Sequence, residues 1–222
     1  MDDPTPASTA PAQQSGALYF CGLDLGQVQD YTALAVLERT LAPDPAKEDT
    51  EAAHYAVRHL ERFPLGTAYT TICEHLKKLF SKPPLQHCTL AVDQTGVGRP
   101  VVDMIRRARL QARLFPISIT AGHAVNRGEG GARMVPKKHL VGVLQVLLQA
   151  RRLKISSALR EAATLTKELQ TFKVKVSLDT GNESFEAWRE RDHDDLVLAV
   201  AIAAWQGERY KPWKLEIIGH PE

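Results

Sequence analysis

The sequence predicts an α/β fold in which a mixed β-sheet is flanked by α-helices. Three strand-like segments follow one another with short connections, a pattern typical of an antiparallel meander. After them, strand-like and helix-like segments alternate, which favours parallel pairing. The chain has 222 residues, of which 44% are hydrophobic, so it can bury the core of one domain.

The N-terminal half supplies the predicted meander. Residues 17–24, 32–39 and 54–63 are rich in apolar and aromatic side chains and are predicted to be strands; the first ends on Asp24. Residues 66–80 are predicted to be a helix because Ile72, Leu76 and Leu79 recur at helical spacing. A strand at 88–92 ends on Asp93, and a helix at 98–110 and a strand at 113–119 follow.

The C-terminal half is predicted to be mainly helical. Residues 120–135 are polar and glycine-rich, which predicts a flexible loop, and Pro136 suits the first position of a helix that ends near Ala150. A short extended piece is predicted at 153–155, a helix at 157–172, a hairpin at 174–188 and a last helix from about Asp192 to Gln206. Residues 1–15 are expected to be a disordered tail or linker, residues 16–210 the domain, and residues 211–222 a C-terminal tail.

Composition excludes several classes of protein. The net charge is +2, so any nucleic-acid surface must come from local clusters of charge. Three cysteines at spacings that match no zinc motif predict reduced, buried thiols, and we expect a cytoplasmic protein. No apolar run reaches the roughly 18 residues needed to cross a bilayer. No nucleophile elbow or Cys/His motif indicates a serine or cysteine hydrolase.

Acidic residues are placed where elements end or begin. Asp24 and Asp93 end apolar strands, and Asp192, Asp194 and Asp195 begin an apolar helix. Each alone has an ordinary explanation as a turn residue, a helix cap or a partner of the helix dipole. Together they predict one site, because ligands gather where strand ends meet helix starts in open sheets.

Such carboxylates suit metal-assisted phosphodiester hydrolysis. Two divalent ions roughly 3.5–4 Å apart can stabilise the attacking and leaving oxygens. Mg²⁺ and Mn²⁺ prefer hard oxygen ligands, which Asp supplies. Residues 192 and 195 share a face of the predicted helix, whereas Asp194 lies about 100° round from Asp195. We therefore expect Asp195 to be the principal ligand there, with Asp194 or Asp192 in support.

Three segments resemble motifs of the C-terminal nuclease domain of phage large terminase subunits. They are CGLDLG at 21–26 with DYTA at 30–33, VDQTGVG at 92–98, and HDDLVLAVA at 193–201. The resemblance covers residues 18–206 and includes Glu168-Leu169 by order and spacing. It implies an RNase H-like fold and a two-metal endonuclease that cuts double-stranded DNA during phage genome packaging. It also implies that Asp24, Asp93 and Asp195 are catalytic metal ligands and that Asp30 is either a further ligand or a group that orients one.

The resemblance carries expectations about partners as well. These are double-stranded DNA, a terminase ATPase motor, the small terminase and the portal, in the host-cell cytoplasm. The chain lacks the phosphate-binding Gly-Lys-Ser/Thr loop of such a motor. We therefore expect an excised domain, a separately encoded nuclease or a relative with a changed role.

Basic residues predict a DNA-facing surface around the loop at 122–138. The candidates are Arg99, Arg127, Arg133, Lys137 and Lys138. We expect this loop to lie across the DNA backbone and to order on binding; a plain surface loop is the alternative. Two other functions stay open, namely a nuclease for Holliday junctions or RNA–DNA hybrids, and a catalytically silent RNase H-like binding module.

Overall fold

A computed structural model describes residues 16–26, 30–44, 50–96, 98–171 and 194–210. The tails predicted at 1–15 and 211–222, the hairpin predicted at 174–188, and Asp192 lie outside these residues. The strands are β1 (Leu18–Asp24), β2 (Ala33–Pro43), β3 (Glu51–Arg62), β4 (Cys88–Asp93), β5 (Ala112–Thr120), β6 (Asn126–Arg127), β7 (Arg133–Pro136) and β8 (Leu153–Ile155). The helices are α1 (Tyr69–Phe80), α2 (Gly98–Arg107), α3 (Lys137–Gln149), α4 (Ala162–Thr171) and α5 (Asp195–Glu208).

The described strands form one eight-stranded mixed sheet in the order β6-β7-β5-β4-β1-β2-β3-β8. The pairs β1–β2 and β2–β3 are antiparallel, which confirms the predicted meander. The pairs β1–β4, β4–β5, β5–β7 and β3–β8 are parallel, and β6–β7 is antiparallel. The α/β prediction is therefore confirmed.

Alternating side chains of the central strands build two cores, one on each face of the sheet. In β1, Phe20 lies in the core that includes α3, α4 and α5, whereas Cys21 and Leu23 lie in the core with α1 and α2. Helix α5 is apolar on nearly every side and almost entirely buried. A helix of that composition is stable only inside a protein, which places its start within the structure rather than at the surface.

Gly22 allows α5 to lie unusually close to β1. A Cβ atom at this position would be 1.9 Å from the carbonyl oxygen of Ala199 and 2.9 Å from the amide nitrogen of Ala203. Only glycine leaves room for this approach. Gly22 and Asp24 are two residues apart, so they lie on the same face of β1.

The segment predicted to be a flexible loop at 120–135 instead contributes two short strands to the edge of the sheet. Residues 126–136, which we call the edge hairpin, consist of β6, a 3₁₀ turn at Glu129–Gly131 and β7. Gly130 and Gly131 have positive φ angles of 63° and 80°, which are the left-handed conformations that glycine supplies in turns. Val135 is fully buried, which anchors β7 beside β5.

Several predicted boundaries were wrong by a few residues. Helix α3 begins at Lys137 because Pro136 is extended, with φ −60° and ψ 133°, and ends β7. Helix α4 begins at Ala162 rather than at 157, and α2 ends at Arg107 before Arg109, which has a positive φ of 49°. The three cysteines are buried free thiols, as predicted. Among the described residues, no helix has the length and apolar character needed to cross a membrane.

Candidate active site

Asp24 and Asp93 lie side by side at the carboxyl ends of two adjacent strands. They are directly paired in the parallel register of β1 and β4. Neighbouring strands are about 4.8 Å apart, and paired residues project from the same face of a sheet. Asp24 is 9% exposed and Asp93 is 1% exposed. The structure thus brings together two of the acids that the sequence selected.

Helix α5 brings Asp195 to the same edge. Ala199 contacts the sheet at Gly22, and Asp195 lies one helical turn before it. The four-residue step from Asp195 to Ala199 covers about 6 Å along the helix, and the two-residue step from Gly22 to Asp24 covers about 7 Å along the strand. Asp195 pairs with Arg62 at the end of β3, two strands from Asp24 in the same row of paired residues, which places the start of α5 at this edge.

The start of α5 corrects the predicted last helix. The helix begins at Asp195, and Asp194 precedes it with φ −124° and ψ 19°. Asp192 lies outside the described residues, so the face that it was predicted to share with Asp195 stays a prediction. The Asp194 carboxylate accepts a hydrogen bond from Lys137 Nζ at 3.2 Å instead of capping the helix.

Asp30 lies in a different setting from the buried acids. It is exposed and lines a cleft of about 160 Å³ together with Gly26, Thr32 and Tyr69. The backbone around Asp30 packs against Gly26, two residues after Asp24. The structure therefore places Asp30 next to the end of β1, on the solvent side.

Arg62 is a site residue that the sequence reasoning missed. Its Nη2 lies 3.1 Å from Asp195 Oδ2, and its Nη1 lies 3.9 Å from Glu168 Oε1. Arg62 is the last residue of β3 and is paired with Ala33 of β2, which is itself paired with Asp24 of β1. Its guanidinium also lies 3.9 Å from the centroid of the Tyr31 ring. One sequence feature could have identified Arg62, because β3, like β1 and β4, ends on a charged residue.

Glu168 supplies the cap that Asp194 does not. Its Oε2 accepts a hydrogen bond from the amide nitrogen of Val197 at 3.0 Å, in the first turn of α5. Burial raises the pKa of Glu168 to about 7, and the negative charges of Asp195 and Asp194 act in the same direction. The hydrogen bond from Val197 and the charge of Arg62 oppose that rise. The sequence singled out Glu168 only as part of a resembling pair.

Thr95 fixes the carboxylate of Asp93. Its amide nitrogen donates to Asp93 Oδ1 at 2.8 Å, and its hydroxyl donates to the same oxygen. The hydroxyl oxygen also accepts from the amide nitrogen of Ile119 at 2.7 Å. The turn after β4 therefore locks one acid of the site to the neighbouring strand β5.

The predicted DNA-binding residues fall into three settings. Lys137 belongs to the acidic site through Asp194, and its side chain is 12% exposed. Arg99 pairs with Glu129 of the edge hairpin, and Lys138 contacts His123. Arg127 and Arg133 lie on β6 and β7 of the edge hairpin.

The donor chemistry of this edge fits hard divalent cations, since two strands end and one helix begins there on an aspartate. Within the described residues, however, no three His, Cys, Asp or Glu side chains form a ready-made metal cluster. Arg62 and Lys137 instead pair with Asp195 and Asp194. Protein cations thus offset part of the repulsion between carboxylates.

The mixed sheet with helices packed on both faces defines an α/β protein. Solved structures make the class more specific. The crystal structure of the large terminase nuclease from thermophilic phage G20c matches with a TM-score of 0.57 and 21% identity, covering 86% of this chain and 82% of that one. The chain therefore has the fold of a large-terminase nuclease domain, as the resemblance implied.

A second structure is more distant. The Mn-soaked terminase nuclease domain of human cytomegalovirus matches with a TM-score of 0.48 and 14% identity, covering 89% of this chain and 86% of that one. No protein-family model and no curated protein matches the sequence.

Proposed function

We propose that this protein is a metal-dependent endonuclease that hydrolyses phosphodiester bonds of double-stranded DNA by a two-metal mechanism during viral genome packaging. The observation that carries the proposal is the direct pairing of Asp24 with Asp93 at the edge where α5 presents Asp195. The fold shared with a phage terminase nuclease gives independent support.

The bound Mg²⁺ or Mn²⁺ ions would stabilise charge on the attacking and leaving oxygens of the phosphodiester. Asp24 and Asp93 would hold them from the sheet and Asp195 from the helix. Asp194 and Asp192 would be supporting ligands, and Asp30 a further ligand from the solvent side.

Neighbouring groups of the chain would orient these ligands. Thr95 fixes the Asp93 carboxylate through two hydrogen bonds to one oxygen. Arg62 holds Asp195 on the helix, 3.1 Å away. Lys137 places a cation at the edge that an anionic phosphate would approach. These contacts limit the orientations of the carboxylates before any substrate arrives, which favours catalysis.

One observation favours a second candidate, the catalytically silent binding module. Both acids at the start of α5 are already paired with protein cations, which is an arrangement stable without metal. A silent module would keep these pairs permanently. A nuclease would exchange them, at least in part, for metal ions.

The first experiment is plasmid nicking by the wild type and by Asp93→Asn and Asp195→Asn, each in Mg²⁺, Mn²⁺ and EDTA. Asp103→Asn is the matched control, because Asp103 is an exposed carboxylate on α2 that pairs with Arg106. The proposal predicts metal-dependent nicking by the wild type and the control, and its loss in both site variants. Thermal unfolding with and without metal shows whether each variant is folded and whether it binds the ion.

Two outcomes would contradict the proposal. No nicking and no metal-induced thermal shift in the wild type would favour the silent module. Faster cutting of four-way junctions or RNA–DNA hybrids than of linear duplex DNA would keep the metal site but replace the substrate. A requirement for the motor, the small terminase or the portal would show as nicking only after those partners are added.

A further inference from the structure

Asp24 and Asp93 belong to a row of directly paired residues that continues across the neighbouring strands to the edge of the sheet. Asp93 is paired with Ile117 of β5, Ile117 with Arg133 of β7, and Arg133 with Arg127 of β6. The two arginines therefore lie in line with the two acids, one residue on each strand. At about 4.8 Å per strand, the Cα atoms of Arg133 and Arg127 are roughly 10 and 14 Å from that of Asp93.

The arginines also project from the same face of the sheet as the acids. Ile117 is buried in the core formed with α3, α4 and α5, and so is Val135. Arg133 is two residues before Val135, so its side chain leaves β7 on that face. Arg127 is its direct partner and shares the face.

Among the described residues, neither arginine has a carboxylate partner. In residues 16–26, 30–44, 50–96, 98–171 and 194–210, no acidic group lies within ion-pair distance of Arg127 or Arg133. By contrast, Arg99 pairs with Glu129, and Lys137 pairs with Asp194. A planar guanidinium without a carboxylate partner is suited to bind phosphate oxygens.

The edge hairpin presents the arginines from a fixed backbone. The amide nitrogen of Gly128 donates to the carbonyl oxygen of Ala132 at 2.8 Å, which closes the turn. From α2, Arg106 donates to the carbonyl oxygen of Gly130 at 3.0 Å, and Arg99 pairs with Glu129. Arg99 and Arg106 therefore both connect α2 to the hairpin.

We propose that Arg127 and Arg133 form a subsite for the sugar–phosphate backbone of double-stranded DNA, on one side of the bond that is cut. Its reference point, the acidic site, rests on the proposed function. At a rise of about 3.4 Å per nucleotide, 10 to 14 Å corresponds to roughly three or four nucleotides from the scissile phosphate. The described row contains no aromatic side chain, so it contacts the backbone rather than stacking on bases.

The test is DNA binding by the double variant Arg127→Ala/Arg133→Ala, measured by fluorescence anisotropy in EDTA over a range of NaCl concentrations. Each lost phosphate contact lowers the slope of log K against log[salt] by about 0.9, so the double variant should lose about 1.8. Arg58→Ala is the control for net charge, since Arg58 is exposed and pairs with Glu38. Arg127→Lys/Arg133→Lys should restore the slope because lysine keeps the charge.

Each outcome decides the proposal separately from the nuclease activity. An unchanged slope in a folded double variant, or an equal loss in Arg58→Ala, overturns the subsite even if the wild type cuts DNA. A reduced slope supports the subsite even if no metal supports cutting, which would then refute the nuclease alone. Equal loss of slope on single-stranded DNA or duplex RNA would refute the assignment to double-stranded DNA.

Discussion

Gly22→Ala adds one methyl group where α5 lies against β1. The new Cβ would be 1.9 Å from the carbonyl oxygen of Ala199, whereas real Cβ atoms essentially never come within 3.0 Å of another atom. The helix must therefore retreat by about 1.1 Å, the difference between these distances, since the obstacle is backbone and cannot rotate away. Overpacking of this kind costs about 1–3 kcal/mol.

Thermal and urea unfolding measure this cost. For a domain of this size, each kcal/mol lowers the melting temperature by about 2–4 °C, so we expect a decrease of roughly 2–12 °C. Gly142→Ala is the matched control. Gly142 lies within α3, and a Cβ there would meet nothing within 4 Å. Because alanine favours helix, this variant should gain up to about 1 kcal/mol.

The same change tests how the site is assembled. A retreat of α5 moves Asp195 away from Asp24, and a displacement of about 1 Å can lower a catalytic rate about 100-fold. Nicking should therefore fall in folded Gly22→Ala and stay unchanged in Gly142→Ala. Full stability and full nicking in Gly22→Ala would refute the claim that this contact positions the acid.

Three further changes test the groups around the acids. Thr95→Val removes the hydroxyl that donates to Asp93 and accepts from Ile119. It should lower the unfolding free energy in urea by about 1–3 kcal/mol and reduce nicking. Thr95→Ser keeps the hydroxyl and should recover both. Arg62→Met removes the cation that pairs with Asp195 and should lower the unfolding free energy in EDTA by about 1–3 kcal/mol. Mn²⁺ should then raise the melting temperature of the variant more than that of the wild type. An equal rise in the two proteins would contradict a metal site beside Asp195. Burial raises the pKa of Glu168 from the usual 4.5 of a glutamate to about 7, so the folded state binds its proton more tightly. The unfolding free energy should therefore fall as pH rises from 4.5 to 7, by on the order of 1–3 kcal/mol, and Glu168→Gln should show no such dependence in EDTA.

The central sheet was predictable because its pattern is local. Each central strand is an apolar run of sufficient length, and the change from consecutive strands to alternation with helices indicated the mixed topology. The edge hairpin was not predictable in the same way. Strand β7 has four residues between a glycine-rich turn and a helix, so its apolar pair Met134-Val135 gave too short a signal. Its pairing with β5 is set by tertiary packing.

The acids of the site were predictable, but their partners were not. Asp24, Asp93 and Asp195 were recognisable because each stands at the end of a strongly apolar element. Arg62 meets Asp195 across 133 positions of sequence, and Glu168 meets Val197 across 29. Such contacts depend on the strand order and on where α5 crosses the sheet. No local pattern contains that information.

The charges at this edge connect the two candidate functions. The edge carries the carboxylates of Asp24, Asp93, Asp194, Asp195 and Glu168 together with the cations Arg62 and Lys137. Partial protonation of Glu168 near neutral pH relieves a fraction of the repulsion among these carboxylates. Two divalent ions would add four positive charges beside them, which favours the approach of an anionic phosphodiester. A nuclease and a silent module therefore differ in what neutralises these acids, which is metal ions in the first and protein groups in the second.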